Sequence, residues 1–436
     1  MNPGRRNPGE LQIDLFCHGL RIPETTNLTS VARPVARTRA GLGSGLELVI
    51  PGDLKELWLN VPVEEDFAIQ SPYRLEGDGE QFAVVDERTT YRYPVRLPEE
   101  PRWYSERTSS GALMREIGVL QGTYLGIYVS NSCMYWYGDQ PSNCKFCTTG
   151  YNVGVNEIAT KNVEDVVEVA LRAKEESGVT FVHLNTGYQN GLGLRQLAPY
   201  VAAIKERVGA LVGVQAVPPK EASHLSQYDW LLDLGADHFS FCYEFHHPEW
   251  FAKLCPGKEA TVGQGAFFRA LEYCQSRMPR GSCSGEIIAG VEPIESTIEA
   301  IDYITGLGAF PTVCIFRPVV GSDMEHYPTP RYEDMVSVMR HMYRACRTAK
   351  IPIGAAPGIE VSLIVNPDDA QYLMERTLAF RMDRLRMSLV RRLLRGHFRR
   401  ALEKRVITAP RKWPGGAGAR AESPTGLQDA DPVTAR

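Results

Sequence analysis

GTYLGIYVS at residues 122–130, with VEDVVEVALRAKEES at 163–177 and VTFVHLN at 179–185 behind it, sets the architecture of this chain. The first and third runs are short and apolar without polar alternation, as strands covered on both faces are. The middle run has helical periodicity, and a strand, a helix and a second strand in that order make a parallel β/α unit. The same alternation continues toward the C-terminus. ALVGVQAV (210–217), HFSFCYEF (238–245), SCSGEIIAG (282–290) and PTVCIFRP (311–318) read as strands, each separated from the next by a helical run. The helix RYEDMVSVMRHMYRACRTA (331–349) and a last apolar run, IEVSLIV (359–365), finish the pattern. Seven or eight such units predict an α/β fold with a TIM-type (β/α) barrel, complete or nearly complete, over residues 118–367. Chemistry in such barrels sits at the C-terminal ends of the strands, so the loop after residue 130 is well placed for it.

Upstream, residues 1–117 are rich in strands and turns. LELVIP, LWLNVPV and YRLEGDGEQFAVVD predict strands, the last with Asp78-Gly79 as a hairpin turn, and Pro94, Pro98 and Pro101 then break the chain. These residues are expected to form a small β-rich N-terminal domain, whose function is not readable. Residues 368–407 form a basic helical extension, with eleven Lys or Arg against two acids between 376 and 405. Leu378, Met382, Leu385, Leu389 and Leu393 recur at helical spacing as one apolar stripe. The expectation is a helix packed on the barrel through that stripe, its basic face in solvent. The competing reading is a surface for an anionic partner, whether a membrane headgroup layer or an acidic protein. Residues 408–436, rich in Pro, Gly, Ala and Asp, are expected to be disordered.

Bulk properties exclude several classes. The chain has 436 residues, 43% hydrophobic and 23% charged, which suits a soluble protein of two or three domains. A net charge of −4 gives no reason to expect nucleic acid as a partner. There is no apolar run of about 20 residues, as a spanning helix requires, and MNPGRRNPGELQIDLF lacks the apolar core of a secretory signal. A cytoplasmic location is expected, and a membrane surface is not expected as a partner.

Ten cysteines in an intracellular chain of this size do not form a disulfide scaffold. Cys17, Cys242, Cys255, Cys274, Cys283, Cys314 and Cys346 stand alone and read as small buried hydrophobes. Cys133, Cys144 and Cys147 instead crowd into the loop after the first barrel strand. Structural zinc wants four protein ligands, and no fourth Cys or His lies close by in sequence. Three thiolates suit a [4Fe–4S] cluster with one iron left open, while zinc or no metal remains an alternative on spacing alone.

Cys133, Cys144, Phe146 and Cys147, placed after the first strand of an alternating α/β pattern, resemble the cluster loop of the radical S-adenosylmethionine (radical SAM) superfamily. The usual spacing there is Cys-x3-Cys-x2-Cys. Ten residues separate the first two cysteines here, which puts Cys133 in question and leaves Cys17 as a fallback third ligand. The resemblance covers about residues 120–365 and favours the biotin-synthase-like branch. It implies that Phe146 packs by the adenine of S-adenosylmethionine (SAM) and that Thr186 and Gly187 of HLNTGYQNG bind its amino group. Glu244 matches a residue near the SAM ribose or amino group. Ile288 and Gly290 match an adenine-contacting strand. Arg317, ending the sixth strand, is a candidate for a substrate carboxylate or phosphate, or for an acid of the barrel.

The resemblance further implies a [4Fe–4S] cluster and SAM as cofactors. SAM would be cleaved reductively to a 5′-deoxyadenosyl radical that modifies a small molecule by sulfur insertion, methylation or rearrangement. A reductant such as flavodoxin or ferredoxin would supply the electron. The alternatives are a zinc-dependent barrel enzyme using Cys144 and Cys147, and a non-catalytic protein that binds partners through its basic helix. Cys242, Cys255, Cys283 and Cys314 could in principle gather as a second cluster, but single cysteines on successive elements are more often core.

Overall fold

A computed structural model describes residues 4–26, 28, 36–37, 44–77, 79, 81–137 and 139–407. The expected tail beyond 407 and Asp78 of the expected hairpin lie outside them.

The N-terminal region opens with a helix, α1 (Pro8–His18), which the sequence reading did not anticipate. Asn7 caps it by accepting from the Glu10 backbone N–H, while the Glu10 carboxylate accepts from the Asn7 N–H, and Pro8 fills the first turn. Two antiparallel sheets follow. One joins β1 (Ala36–Arg37), β2 (Ser44–Ile50) and β3 (Leu57–Pro62). After the short α2 (Asp66–Ile69), the other joins β4 (Tyr73–Gly77), β5 (Phe82–Asp86) and β6 (Tyr91–Val95). Pro94 is accommodated because β6 is an edge strand.

The main sheet has seven strands. β7 (Val119–Gln121) runs antiparallel to β8 (Tyr124–Tyr128). From β8 onward all neighbours are parallel: β9 (Phe181–Asn185), β10 (Leu211–Gln215), β11 (His238–Glu244), β12 (Cys283–Ala289) and β13 (Phe310–Ile315). Between β8 and β9 lie the cysteine loop, α3 (Thr149–Asn152) and α4 (Val163–Ser177). α5 (Gly193–Ala203), α6 (Ser226–Asp233), then α7 (Pro248–Leu254), α8 (Pro256–Thr261) and α9 (Gln264–Gln275) connect the next strands, and α10 (Ile294–Leu307) precedes β13. α11 (Tyr332–Thr348) follows β13.

Six parallel strands make a partial barrel, two units short of the complete (β/α)8 form. IEVSLIV is not a strand. Pro352 and Pro357 precede it and Pro367 follows, and its backbone is satisfied by neighbours other than a ladder. The Ser362 carbonyl accepts from Asn60 N–H (2.6 Å) and the Glu360 carbonyl from Thr123 N–H (3.0 Å). Glu47 receives the Ser362 hydroxyl and the Gly122 N–H. This segment and the N-terminal β3 fill the seam between β13 and the start of the sheet. One contiguous apolar core runs through both regions.

α12 (Leu378–Ala401) also departs from expectation. Phe380, Met387, Val390, Leu394, Phe398 and Ala401 are buried or half-buried, and they form the stripe that packs inward. Asp383, on the same side, pairs with Arg347 of α11. The stripe Leu378, Met382, Leu385, Leu389 and Leu393 is exposed, at 74%, 63%, 65%, 55% and 81%. The helix carries two apolar stripes, and the one expected to pack on the barrel is the outer one.

Candidate active site

β8 ends at Tyr128, and the chain then folds back over the end of β9. The Met134 N–H donates to the Tyr188 carbonyl (2.9 Å), and the Gln189 amide donates to the carbonyls of Asn131 and Ser132. Tyr135 and Tyr188 stack with centroids 4.5 Å apart. On its other side the loop is stitched to the α7–α8 junction, Lys145 N–H donating to Leu254 and Gly257 N–H to Ser142. Cys133, Cys144 and Cys147 are thereby held on one wall of a cavity of about 850 Å³ inside the partial barrel.

Each thiol has its own partner. Cys133 Sγ accepts from the Tyr188 N–H at 3.3 Å, and burial raises its pKa. Cys147 Sγ lies 3.0 Å from Thr149 Oγ1 and accepts from the Thr149 N–H, yet burial pushes its pKa up to about 12. Cys144 is shifted downward by a hydrogen bond from Cys255, against its burial and with help from the Lys258 charge. The three sites feel one another electrostatically, since ionising Cys144 opposes ionising Cys133 and Cys147. Among the described residues no three His, Cys, Asp or Glu side chains are gathered closely enough to hold a metal ion as they stand. The donors nonetheless fit a thiolate-bound cluster in kind: three cysteines from one loop, facing one cavity, with the Lys258 ammonium favouring the anionic form of Cys133 and Cys144.

Gly187 is required by close approach. A Cβ there would lie 2.5 Å from Cys133 Cβ and 2.7 Å from the Tyr128 hydroxyl. Its N–H is taken by that hydroxyl at 2.9 Å. Thr186 lines the same wall and shares its hydroxyl with Ser130. Phe146 lines the cavity and packs edge-on to Phe245. Glu244 ends β11 at a register shift against β12, with φ 68°, a strained value for a glutamate. Its carboxylate accepts from Lys258 Nζ at 2.6 Å.

Ile288 lines the cavity, whereas Gly290 does not. Gly290 has φ 96°, and a side chain there would strike Pro330, so it serves the turn after β12. Arg317 lines the cavity and pairs with an acid, though one from the N-terminal region: Nε donates to Glu65 and Nη1 to Asn60. Its Nη2 is buried without a partner among the described residues, which leaves that NH2 group for a ligand.

Cys17 is buried in α1 and does not line the cavity, so it is no substitute for Cys133. Cys242, Cys255, Cys283 and Cys314 do not gather as a metal site among the described residues: Cys255 bonds to Cys144, Cys283 meets Met278, Cys242 sits between Gln215 and Glu286, and Cys314 lies near Glu286 and Glu244. Several residues here were not singled out from sequence. Burial opposes the charge of Lys258, but Glu244 and the nearby thiols hold its pKa well above the ordinary lysine value. Burial raises the Glu286 pKa, while its Oε2 accepts from Cys242. A lysine in the first turn of a helix looks like surface; only the folded β11 reveals its partner.

No family model matches the chain. A curated relative is bacteriochlorophyllide c C-7(1)-hydroxylase of Chlorobaculum limnaeum, 26% identical over 267 residues. The match spans 55% of this chain and 64% of that protein, less than two thirds of its length. Among solved structures, HydG, a maturase of the [FeFe]-hydrogenase, is 17% identical with a TM-score of 0.39, covering 53% of this chain and 52% of HydG. Methylornithine synthase (PylB) is 16% identical with a TM-score of 0.38, covering 66% of this chain and 90% of PylB. Streptococcus suis SuiB bound to S-adenosylmethionine is 14% identical with a TM-score of 0.35, covering 52% of this chain and 47% of SuiB. These three structural likenesses are too remote to assign function. The sequence relative is named as an enzyme, and a thiol-lined cavity inside a parallel sheet is a suitable place for enzyme chemistry.

Proposed function

We propose that the chain is a radical SAM enzyme, with Cys133, Cys144 and Cys147 holding a [4Fe–4S] cluster beside bound SAM. The observation that carries this reading is the placement of three thiols from one loop on the wall of a barrel cavity, against the Thr186–Gly187 turn. When bound, the cluster supplies the single electron for reductive cleavage of SAM. The chain's own residues bind and orient. Phe146 and Ile288 would flank the adenine, Thr186 and Gly187 would meet the methionyl end, and Glu244, fixed by Lys258, would face the ribose or amino group. Gly290 supports that strand end through its turn rather than by contact. Arg317 offers Nη2 to a substrate carboxylate or phosphate. Phe16, Asn60 and Pro62 of the N-terminal region close part of the cavity wall, which would limit the water reaching a bound reactant.

The substrate is a small molecule with an apolar portion, as the Phe, Tyr and Ile lining of the cavity suits. Hydroxylation joins sulfur insertion, methylation and rearrangement as a candidate outcome, by analogy with the relative's printed activity. A flavodoxin- or ferredoxin-type donor, a cytoplasmic setting, and domain limits at 117 and 367 belong to the same reading.

The test is anaerobic purification with iron, sulfide and zinc analysis, then incubation with SAM and dithionite. About four irons per chain and release of 5′-deoxyadenosine support the reading, and both are lost in Cys144→Ala. A zinc-loaded or metal-free protein that leaves SAM intact after reconstitution sinks it.

A further inference from the structure

Two observations on α12 have no role in the chemistry above. Its outer stripe of Leu378, Met382, Leu385, Leu389 and Leu393 is at least 55% exposed at every position. Burying such side chains is the usual reason a sequence spends them at helical spacing, so five in register without a partner call for one. The flanks of that stripe are cationic. Arg381, Arg392 and Arg399 lie along one side and Arg386 and Arg400 toward the other, by helical geometry. None of these five makes an ion pair with a described residue, whereas Arg347, Arg376 and Arg405 elsewhere in the region do.

We propose that α12 is an interfacial helix that seats this protein on an anionic lipid bilayer, its leucine stripe in the acyl boundary and its arginines at the headgroups. The helix is 24 residues long, about 36 Å, and lies along the body rather than pointing away from it. Its inner stripe keeps it there. A flat anionic surface satisfies both cationic flanks at once. A second copy docked through the same stripe would bring two arginine rows together, and a groove in a partner protein would have to carry acids along both rims. The cavity reaches this helix: Leu394, His397 and Phe398 on its inner side belong to the lining, together with residues at the N-terminal ends of the strands such as Phe181 and Phe310. The seat therefore places the lower end of the barrel lumen next to the bilayer, with the cysteine loop at the far end. No described helix is long and apolar enough to cross a membrane, so the attachment is peripheral. This inference is independent of the metal chemistry.

The experiment is flotation of the full-length protein with phosphatidylcholine vesicles, with and without phosphatidylglycerol, at low and high salt. The protein should float with the anionic vesicles at low salt, and high salt should release it. Leu385→Glu with Leu389→Glu should reduce the bound fraction about tenfold or more, and Arg381→Glu, Arg392→Glu and Arg399→Glu together should abolish the preference for anionic lipid. Urea midpoints equal to wild type establish that the variants fold, as expected for exposed positions. Failure to float with anionic vesicles overturns the proposal, as does equal flotation of the leucine variant. A dimer that the leucine variant dissociates, without vesicle binding, assigns the stripe to a second copy and overturns it too.

Discussion

At the scale of single residues, the site depends on groups that neither pack nor react in isolation. Lys258 and Glu244 form a pair whose side chains are 10% and 15% exposed, so removing one strands the other. Lys258→Met should destabilise the protein by about 3–5 kcal/mol, measured by urea denaturation, and adding Glu244→Gln should restore much of the loss. If the single variant is as stable as wild type, the pair is not buried as described. Gly187 makes a second case. Ala there forces Cys133 or Tyr128 to move, at a cost of about 1–3 kcal/mol. Labelling of Cys133 by a thiol reagent should accelerate in that variant, while the distant Cys346 in α11 stays protected. The cysteine loop was legible in the sequence because three thiols in fifteen residues are conspicuous. Lys258, Cys255 and Tyr128 were not, because their significance arises from neighbours supplied by other strands and helices.

At the scale of elements, α12 shows what periodicity can and cannot say. Apolar residues at helical spacing identify a helix, but this helix has two apolar stripes roughly 140° apart, and spacing does not say which one faces the barrel. The deciding contact is Arg347, whose guanidinium holds both oxygens of Asp383 and so turns the inner stripe inward. Arg347→Ala removes a charge-assisted pair worth about 1.5–3 kcal/mol. Amide exchange across residues 380–398 should then quicken about tenfold or more, with β9–β12 unchanged. Uniform exchange throughout would mean that α12 is fixed by its apolar stripe alone. IEVSLIV teaches the complementary lesson. Its composition is that of a strand, but it forms no ladder, and scattered hydrogen bonds with Asn60, Thr123 and Glu47 hold it instead.

For the whole molecule, two half-buried titratable groups oppose each other across the mildly acidic range. His238 is enclosed in the lower barrel, and burial lowers its pKa to about 4. Between that value and its unfolded pKa near 6.5, the unfolded chain binds more protons, so this term adds stability as pH rises. Burial pushes Glu360 up to about 7, against the pull of Lys55. Between about 4.5 and 7 the folded chain binds the extra proton, so this term removes stability as pH rises. Each is worth on the order of 3 kcal/mol, and they largely cancel. His238→Gln should tilt the stability-against-pH curve downward relative to wild type between pH 4 and 7, and Glu360→Gln should tilt it upward. Parallel curves for wild type and both variants would remove these residues from the acid response. The parallel α/β pattern behind this arrangement was legible from residue 122 onward. How many strands close the barrel was not, because that depends on what residues 359–373 meet, and they meet the N-terminal region.

That seam fixes an order of events in the making of the protein. Gln12 bonds to Asp369 across 357 positions, Lys55 to Asp368 across 313, and Glu65 to Arg317 across 252. During synthesis the first 65 residues leave the ribosome long before any of these partners exist. Their strands can pair locally, but the barrel wall they complete must wait for the last third of the chain. Contacts of such sequence separation are the slow ones in folding, so the completed cavity wall is the final feature to form, and any cofactor the cavity houses is best loaded after the chain has been released.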